Sequence, residues 1–135
     1  MTRILIDTSV YVDWFRARRH EEVVAGHRGP PALSAVVAME LLAGERKRDR
    51  IAGWAARFHR SGRLLIPGWD VWRLAGRVLR ALRALREYGT GNQSLTNDVL
   101  IAMTARTAGM KVFTANRRDF TRIAAIEPFD LEIVT

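Results

Sequence analysis

Apolar residues fall along this chain in short blocks, separated by longer stretches with helical periodicity. Residues 3–6 are β-prone and end at Asp7, and Thr8 and Ser9 are residue types that begin helices. Residues 10–18 fit a helix with Val10, Trp14 and Phe15 turned inward, and 20–27 a second short one. Gly29-Pro30-Pro31 breaks the chain before a brief strand at 31–33. Ser34 is placed to cap a helix over 35–43, which Gly44 stops. The charged cluster 45–50 reads as a solvated lead into an amphipathic helix at 51–60. Residues 64–66, before Pro67-Gly68, read as a buried strand, and 70–88 as the longest helix, ended by Gly89. After a polar loop at 89–94, Ser94 or Thr96 caps a helix that runs to Ala108 and stops at Gly109. A strand at 111–114 enters the turn Ala115-Asn116-Arg117, followed by a short helix near 119–124 and a last strand within 129–134. Short apolar strands separated by helices predict an α/β class with helices around a mainly parallel sheet of four to five strands. At 135 residues the expectation is a single domain, 1–135.

Composition narrows the chemistry. The chain has no Cys, which excludes a disulfide scaffold, thiolate-bound zinc, iron–sulfur clusters and a thiol nucleophile, and fits a reducing, cytoplasmic setting. No apolar run approaches the roughly 18–20 residues of a membrane span, and the N-terminal residues have no signal-peptide core, so no membrane partner is expected. Lys and Arg number 22 against 14 Asp and Glu, a formal charge of +8. Twenty of the basic residues are Arg, so codon bias explains the excess as readily as a polyanionic partner does. The positions of the acids are more telling than the total.

In a parallel sheet, sites lie beyond the carboxyl ends of the strands. Asp7 ends the first strand, where it either caps the next helix or enters a site. Glu40 lies inside an otherwise apolar helix, AVVAMELL. A carboxylate there must reach a solvent edge, pair with a cation or bind a metal, because burying it alone is costly. Asp98 and Asp119 each stand near the start of a predicted helix, where a dipole or capping role competes with a site role. Brought together, such acids repel one another, and a divalent cation removes the penalty. All-oxygen ligation points to Mg²⁺ or Mn²⁺ rather than zinc. His20, His27 and His59 are scattered and read as surface or packing residues.

Four segments, residues 4–10 (ILIDTSV), 33–44 (LSAVVAMELLAG), 97–102 (NDVLIA) and 112–120 (VFTANRRDF), resemble a PIN-domain ribonuclease of the VapC toxin type, in order and in spacing. The resemblance covers almost the whole chain. It implies an α/β/α fold and metal-dependent RNA hydrolysis by Asp7, Glu40, Asp98 and Asp119, with Mg²⁺ or Mn²⁺ held by Asp7, Glu40 and Asp98. Ser9 and Thr114 would orient the acids. The fourth acidic position of many relatives is Asn116 here, so either Asn116 or Asp119, three residues on, fills that role.

The resemblance also implies an RNA substrate, a cognate VapB-like antitoxin and a homodimer. Phe15, Trp54 and Phe58 are candidates for a partner surface. An anionic pocket needs a basic rim to take RNA, and Arg117 and Arg118 are best placed for it, with Arg16, Arg18, Arg19 and 46–48 further candidates. Asn92 and Gln93, just before the Asp98 helix, are candidates for base contacts. On the long helix, Arg73, Arg77 and Arg80 share a face opposite the stripe Val71, Leu74, Val78, Leu82 and Leu85; they either track phosphates or form a solvated face. A second reading is a catalytically weak PIN-like RNA- or protein-binding module, which Asn116 favours.

Overall fold

A computed structural model of the chain describes residues 3–85 and 93–135. Strands β1 (Ile4–Ile6), β2 (Pro31–Ser34), β3 (Leu64–Leu65), β4 (Lys111–Thr114) and β5 (Leu131–Ile133) form one sheet in the order β3-β2-β1-β4-β5. Every pairing is parallel. The α/β expectation holds, and the sheet is parallel throughout. Pro31 sits at the first residue of its strand, where its missing N–H does least harm.

Among the described residues there are seven helices: α1 (Thr8–Ala17), α2 (Glu21–Val24), α3 (Ala35–Ala43), α4 (Ile51–Arg60), α5 (Trp69–Arg83), α6 (Gln93–Ala108) and α7 (Arg117–Ile126). The first four lie in connections that step outward from β1 to β3, and the last three in connections that step the other way, to β4 and β5. Right-handed crossovers therefore put the two sets on opposite faces, giving three layers. Contacts agree: α5, α6 and α7 pack on one another, and α3 packs on α1 and α4. The central strand β1 is buried on both sides, and its side chains are all apolar.

Several boundaries differ from the sequence reading for identifiable reasons. Helix α6 begins at Gln93, so Ser94 and Thr96 lie inside the helix rather than at its cap. From Asn97 to Ala105 every residue is buried, so tertiary packing rather than a capping residue holds its first turns. A side-chain hydrogen bond one turn apart, from Gln93 Nε2 to Asn97 Oδ1 (3.0 Å), supports the added turn. The expected stop at Gly89 and the role given to Asn92 lie outside the described residues. Leu85, expected on the buried stripe of α5, is 41% exposed because the helix has ended before it.

The cluster 45–50 is largely exposed, as expected, and is also held by its own hydrogen bonds. Arg50, at the N-cap of α4, has φ 55° and no capping side chain. Glu45 reaches across instead and accepts the N–H groups of Ile51 and Ala52. Asp49 accepts the Arg46 guanidinium (3.1 Å) and backbone N–H (3.0 Å). Phe58, expected near a partner surface, is buried, in edge-to-face contact with Trp54. His20 is a packing residue tied to Asp13 at 3.0 Å, while His27 and His59 are exposed. Among the described residues, no helix is long and apolar enough to cross a membrane.

Candidate functional site

The sheet reverses direction between β1 and β4: the chain leaves β1 toward β2 and leaves β4 toward β5. That switch point opens a crevice at the carboxyl ends of two adjacent strands. Asp7 follows β1 there, and Thr114 ends β4. Both are fully or almost fully buried.

Asp7 combines the two roles that its position allows. It is the N-cap of α1 and accepts the Ser9 N–H at 3.3 Å. The same oxygen, Oδ2, also accepts the Ser9 hydroxyl (2.7 Å) and the Thr114 hydroxyl (2.8 Å). Those hydroxyls have little freedom. Ser9 Oγ accepts the Ala115 N–H (3.0 Å) and Thr114 Oγ1 accepts the Asn116 N–H (2.9 Å). With lone pairs occupied by the backbone, each hydroxyl turns its single proton to Asp7. The other oxygen, Oδ1, is buried and has no hydrogen-bond partner. Burial pushes the Asp7 carboxyl up, against the hydroxyl and backbone donors that hold it down.

Glu40 comes from α3, at the edge of the crevice. Its Oε1 accepts the Thr8 hydroxyl at 2.6 Å and its Oε2 accepts Asn97 Nδ2 at 3.2 Å. The side chain is half-buried at that edge, tied to α1 through Thr8 and to α6 through Asn97. Thr8 and Asn97 were missed as partners. The available signal was adjacency, since each stands beside a candidate acid, and Gln93 and Asn97 have one-turn spacing.

Asp98 lies in the second turn of α6, not at its opening, so the helix dipole does not explain it. It is 6% exposed, and its carboxyl is pushed up to about 8. Burial is the main cause, followed by the negative charges of Asp7, Asp119 and Glu40. Mutual repulsion of this kind places the four acids in one electrostatic neighbourhood. Asn116 is the N-cap of α7: its Oδ1 accepts the Asp119 N–H at 3.4 Å. Its Nδ2 donates to both Asp98 Oδ2 and Asp119 Oδ2, at 3.2 Å each. Asn116, not Asp119, therefore caps the helix, and its amide bridges two carboxylates that an Asp at this position would repel.

The expected closure of three acids on one point is looser than the sequence suggested. Among the described residues, no three His, Asp or Glu side chains are oriented within reach of one ion. Each carboxylate accepts a hydrogen bond from a neutral hydroxyl or amide, and like charges repel, so nothing among these contacts draws the acids onto one point. The donor chemistry nevertheless fits a hard divalent cation. Asp7 Oδ1 is a buried carboxylate oxygen with no donor, and the neighbouring acids Glu40, Asp98 and Asp119 would offer only carboxylate oxygens.

Arg117 and Arg118 open α7 on the surface next to Asn116. Arg16 lines a narrow cleft that also contains Glu40, Leu41 and Asp49. Arg18 lies over the Trp14 ring, and Arg46 is held by Asp49 and the Phe15 carbonyl, so these two serve local structure. Arg19, Lys47 and Arg48 are exposed. Arg73, Arg77 and Arg80 form an exposed face of α5.

The PIN domain family model matches residues 4–126. The chain belongs to the PIN family. No curated protein sequence matches it. The PIN fold seen here resembles several solved structures along its whole length. VapBC2 from Rickettsia felis, bound to a DNA fragment from its promoter, contains a chain 21% identical, with TM-score 0.68, over 98% of this chain and 99% of that one. VapBC-1 from nontypeable Haemophilus influenzae gives 18% identity and TM-score 0.67 over 97% of both chains. A toxin–antitoxin complex from Klebsiella pneumoniae gives 26% identity and TM-score 0.60, over 98% of this chain and 96% of that one.

Proposed function

We propose that this PIN protein is a metal-dependent endoribonuclease acting as the toxin of a VapBC-type toxin–antitoxin pair. One observation carries the reading: a donorless, buried Asp7 oxygen at a sheet switch point, close enough to Asp98 that its charge, with those of Asp119 and Glu40, pushes the Asp98 carboxyl up. Asp7, Glu40 and Asp98 are the residues that would hold Mg²⁺ or Mn²⁺. When bound, the cation supplies a polarised phosphoryl oxygen and a water of lowered pKa. Ser9 and Thr114 occupy Asp7 Oδ2 and leave Oδ1 as the oxygen that would meet a cation. Thr8 and Asn97 hold Glu40, and Asn116 holds Asp98 and Asp119 side by side. Arg117 and Arg118 offset the repulsion between this acidic pocket and a phosphate backbone. No nucleophile from the chain is required: a water would form the new P–O bond while the bond to the RNA 3′-oxygen breaks, that oxygen leaving as a hydroxyl and the phosphate staying on the 5′ side.

The partner reading rests on a groove between α1 and α4. Its cavity, about 600 Å³, has Trp14, Phe15 and Trp54 in its walls and Arg16, Arg48, Arg50 and Arg57 around it. Phe15, Arg16 and Asp49 also line the cleft that reaches Glu40, so a segment lying in the groove leads toward the acids. An antitoxin segment with apolar and acidic residues matches that surface.

The test is RNA cleavage with and without Mn²⁺, by wild type and by Asp7→Asn, which keeps a capping side chain. Wild type cleaves only with the metal, and Mn²⁺ raises its melting temperature by linkage. Asp7→Asn loses both effects while its circular dichroism is unchanged. Undiminished cleavage by Asp7→Asn overturns the assignment. Salt-sensitive RNA binding without any metal-stimulated turnover would instead support the binding-module reading that Asn116 favours.

A further inference from the structure

A further concavity, of about 330 Å³, adjoins the acidic site on the side of α3 and α6. Its walls include Met39, Pro67, Trp72, Gln93, Asn97 and Leu100. Two of these are large apolar side chains left open to solvent: Met39 is 52% exposed and Trp72 is 51% exposed. Trp72 is not loose, because its indole N–H donates to the Pro67 carbonyl at 3.2 Å. The ring is thus fixed at the mouth of the cavity by its own polar edge.

The lining is mostly apolar, but two of its amide side chains, Gln93 and Asn97, are wired to the site. Gln93 Nε2 donates to Asn97 Oδ1, and Asn97 Nδ2 donates to Glu40 Oε2. Three side chains therefore form one hydrogen-bonded line from the cavity to a candidate metal ligand. An amide has two N–H groups and a carbonyl oxygen, and this line uses one N–H of Gln93. Its carbonyl and second N–H are the donor–acceptor pair that amide side chains offer to base edges.

We propose that this cavity is a nucleobase subsite. It takes one unpaired base of the RNA strand next to the scissile phosphate, stacked against Trp72 and read at its edge by Gln93. The inference rests on the nuclease reading above and names the part of the substrate that meets this wall. A fixed, half-exposed aromatic ring beside a paired donor and acceptor suits a flat heterocycle better than an aliphatic side chain. The charge around it agrees. Arg73, Arg77 and Arg80 form an exposed face of α5, the helix that also carries Trp72, so cations for the backbone stand on the same element as the ring that takes the base. Asn97 is a positioning residue in this scheme: base contact at Gln93 is transmitted to the Glu40 carboxylate through it.

The test is equilibrium binding of labelled oligo(A), oligo(C), oligo(G) and oligo(U) ribonucleotides, with metal chelated so that no cleavage occurs. Wild type, Trp72→Ala, Trp72→Phe and Gln93→Ala are compared, with sedimentation velocity on each. Wild type should separate the four oligomers by about tenfold in affinity. Trp72→Ala should weaken the preferred one by roughly fivefold or more, and Trp72→Phe should restore most of it. Gln93→Ala should compress the differences among the four while leaving average affinity nearly unchanged. Variants that bind all four as wild type does overturn the subsite. A changed sedimentation coefficient for Trp72→Ala with unchanged RNA binding also overturns it, and assigns the surface to a second copy of the chain. Mn²⁺-dependent cleavage is scored separately. Selective binding without cleavage defeats the nuclease reading alone, and cleavage whose base preference survives both alanine variants defeats the subsite alone.

Discussion

Replacing Asp98 by Asn should make the metal-free protein more stable at pH 8 and change it little at pH 4. An unfolded chain ionises Asp98 at its ordinary 3.8, whereas the folded chain holds the proton to about 8. Between those values the unfolded state binds fewer protons, so stability falls as pH rises through the window and levels off above it. At 1.36 kcal/mol per pH unit, moving from 3.8 to about 8 corresponds to a ceiling of roughly 6 kcal/mol. Counterions and water gathering at the rim relax much of this, and about 2–3 kcal/mol is the expected difference. The amide side chain of the variant would have no charge to desolvate and no repulsion from Asp7, Asp119 and Glu40, and its carbonyl could still accept from Asn116. The assay is urea unfolding of both proteins in EDTA at pH 4, 6 and 8, with the two midpoints compared at each pH. The gap in favour of the variant should widen steadily with pH. A variant less stable than wild type by the same amount at every pH would refute the account, because it would show that Asp98 contributes packing rather than an electrostatic penalty.

Three further outcomes follow from the same geometry. Thr114→Val removes a donor to Asp7 and the acceptor for the Asn116 N–H, and urea unfolding should show a loss of about 1–3 kcal/mol, with cleavage reduced in parallel. Asn116→Asp places a third carboxylate beside Asp98 and Asp119; differential scanning fluorimetry at pH 8 should give a lower melting temperature without metal and a larger rise on adding Mn²⁺. Arg117→Ala with Arg118→Ala should flatten the salt dependence of RNA binding, the logarithmic slope falling by about 0.7 for each phosphate that the two arginines neutralise.

The sheet was legible in the sequence because its strands are short apolar runs bounded by Gly, Pro and capping residues, and in a parallel sheet those strands must be apolar on both faces. The start of α6 was not. Gln93, Ser94 and Thr96 read as loop and cap by residue type, yet burial of the helix against α5, α7 and the sheet carries it a turn further. Local propensity could not report that packing. The acids stood out at strand ends and inside an apolar helix. Their partners did not, because Thr8 and Asn97 are ordinary polar residues until the fold brings them to Glu40 from 32 and 57 residues away. The run 45–50 read as solvated, and Glu45, Lys47, Arg48 and Arg50 are exposed; what residue type did not report is that Arg46 pairs with Asp49 and Glu45 closes a helix end.

The hydrogen bond from Thr114 to Asp7 joins residues 107 positions apart, and the one from Ala115 to Ser9 spans 106. Synthesis begins at the amino end. While the first hundred residues are being made, β1 can pair with β2, but the strand that completes its other edge does not yet exist. Asp7 then lacks one of its two hydroxyl donors, Ser9 lacks the N–H that aims its proton, and the amide that joins Asp98 to Asp119 is absent. A nascent chain therefore cannot assemble this hydrogen-bonded cluster until residue 116 has been made, and a frameshift or stop upstream of that point releases a fragment without it.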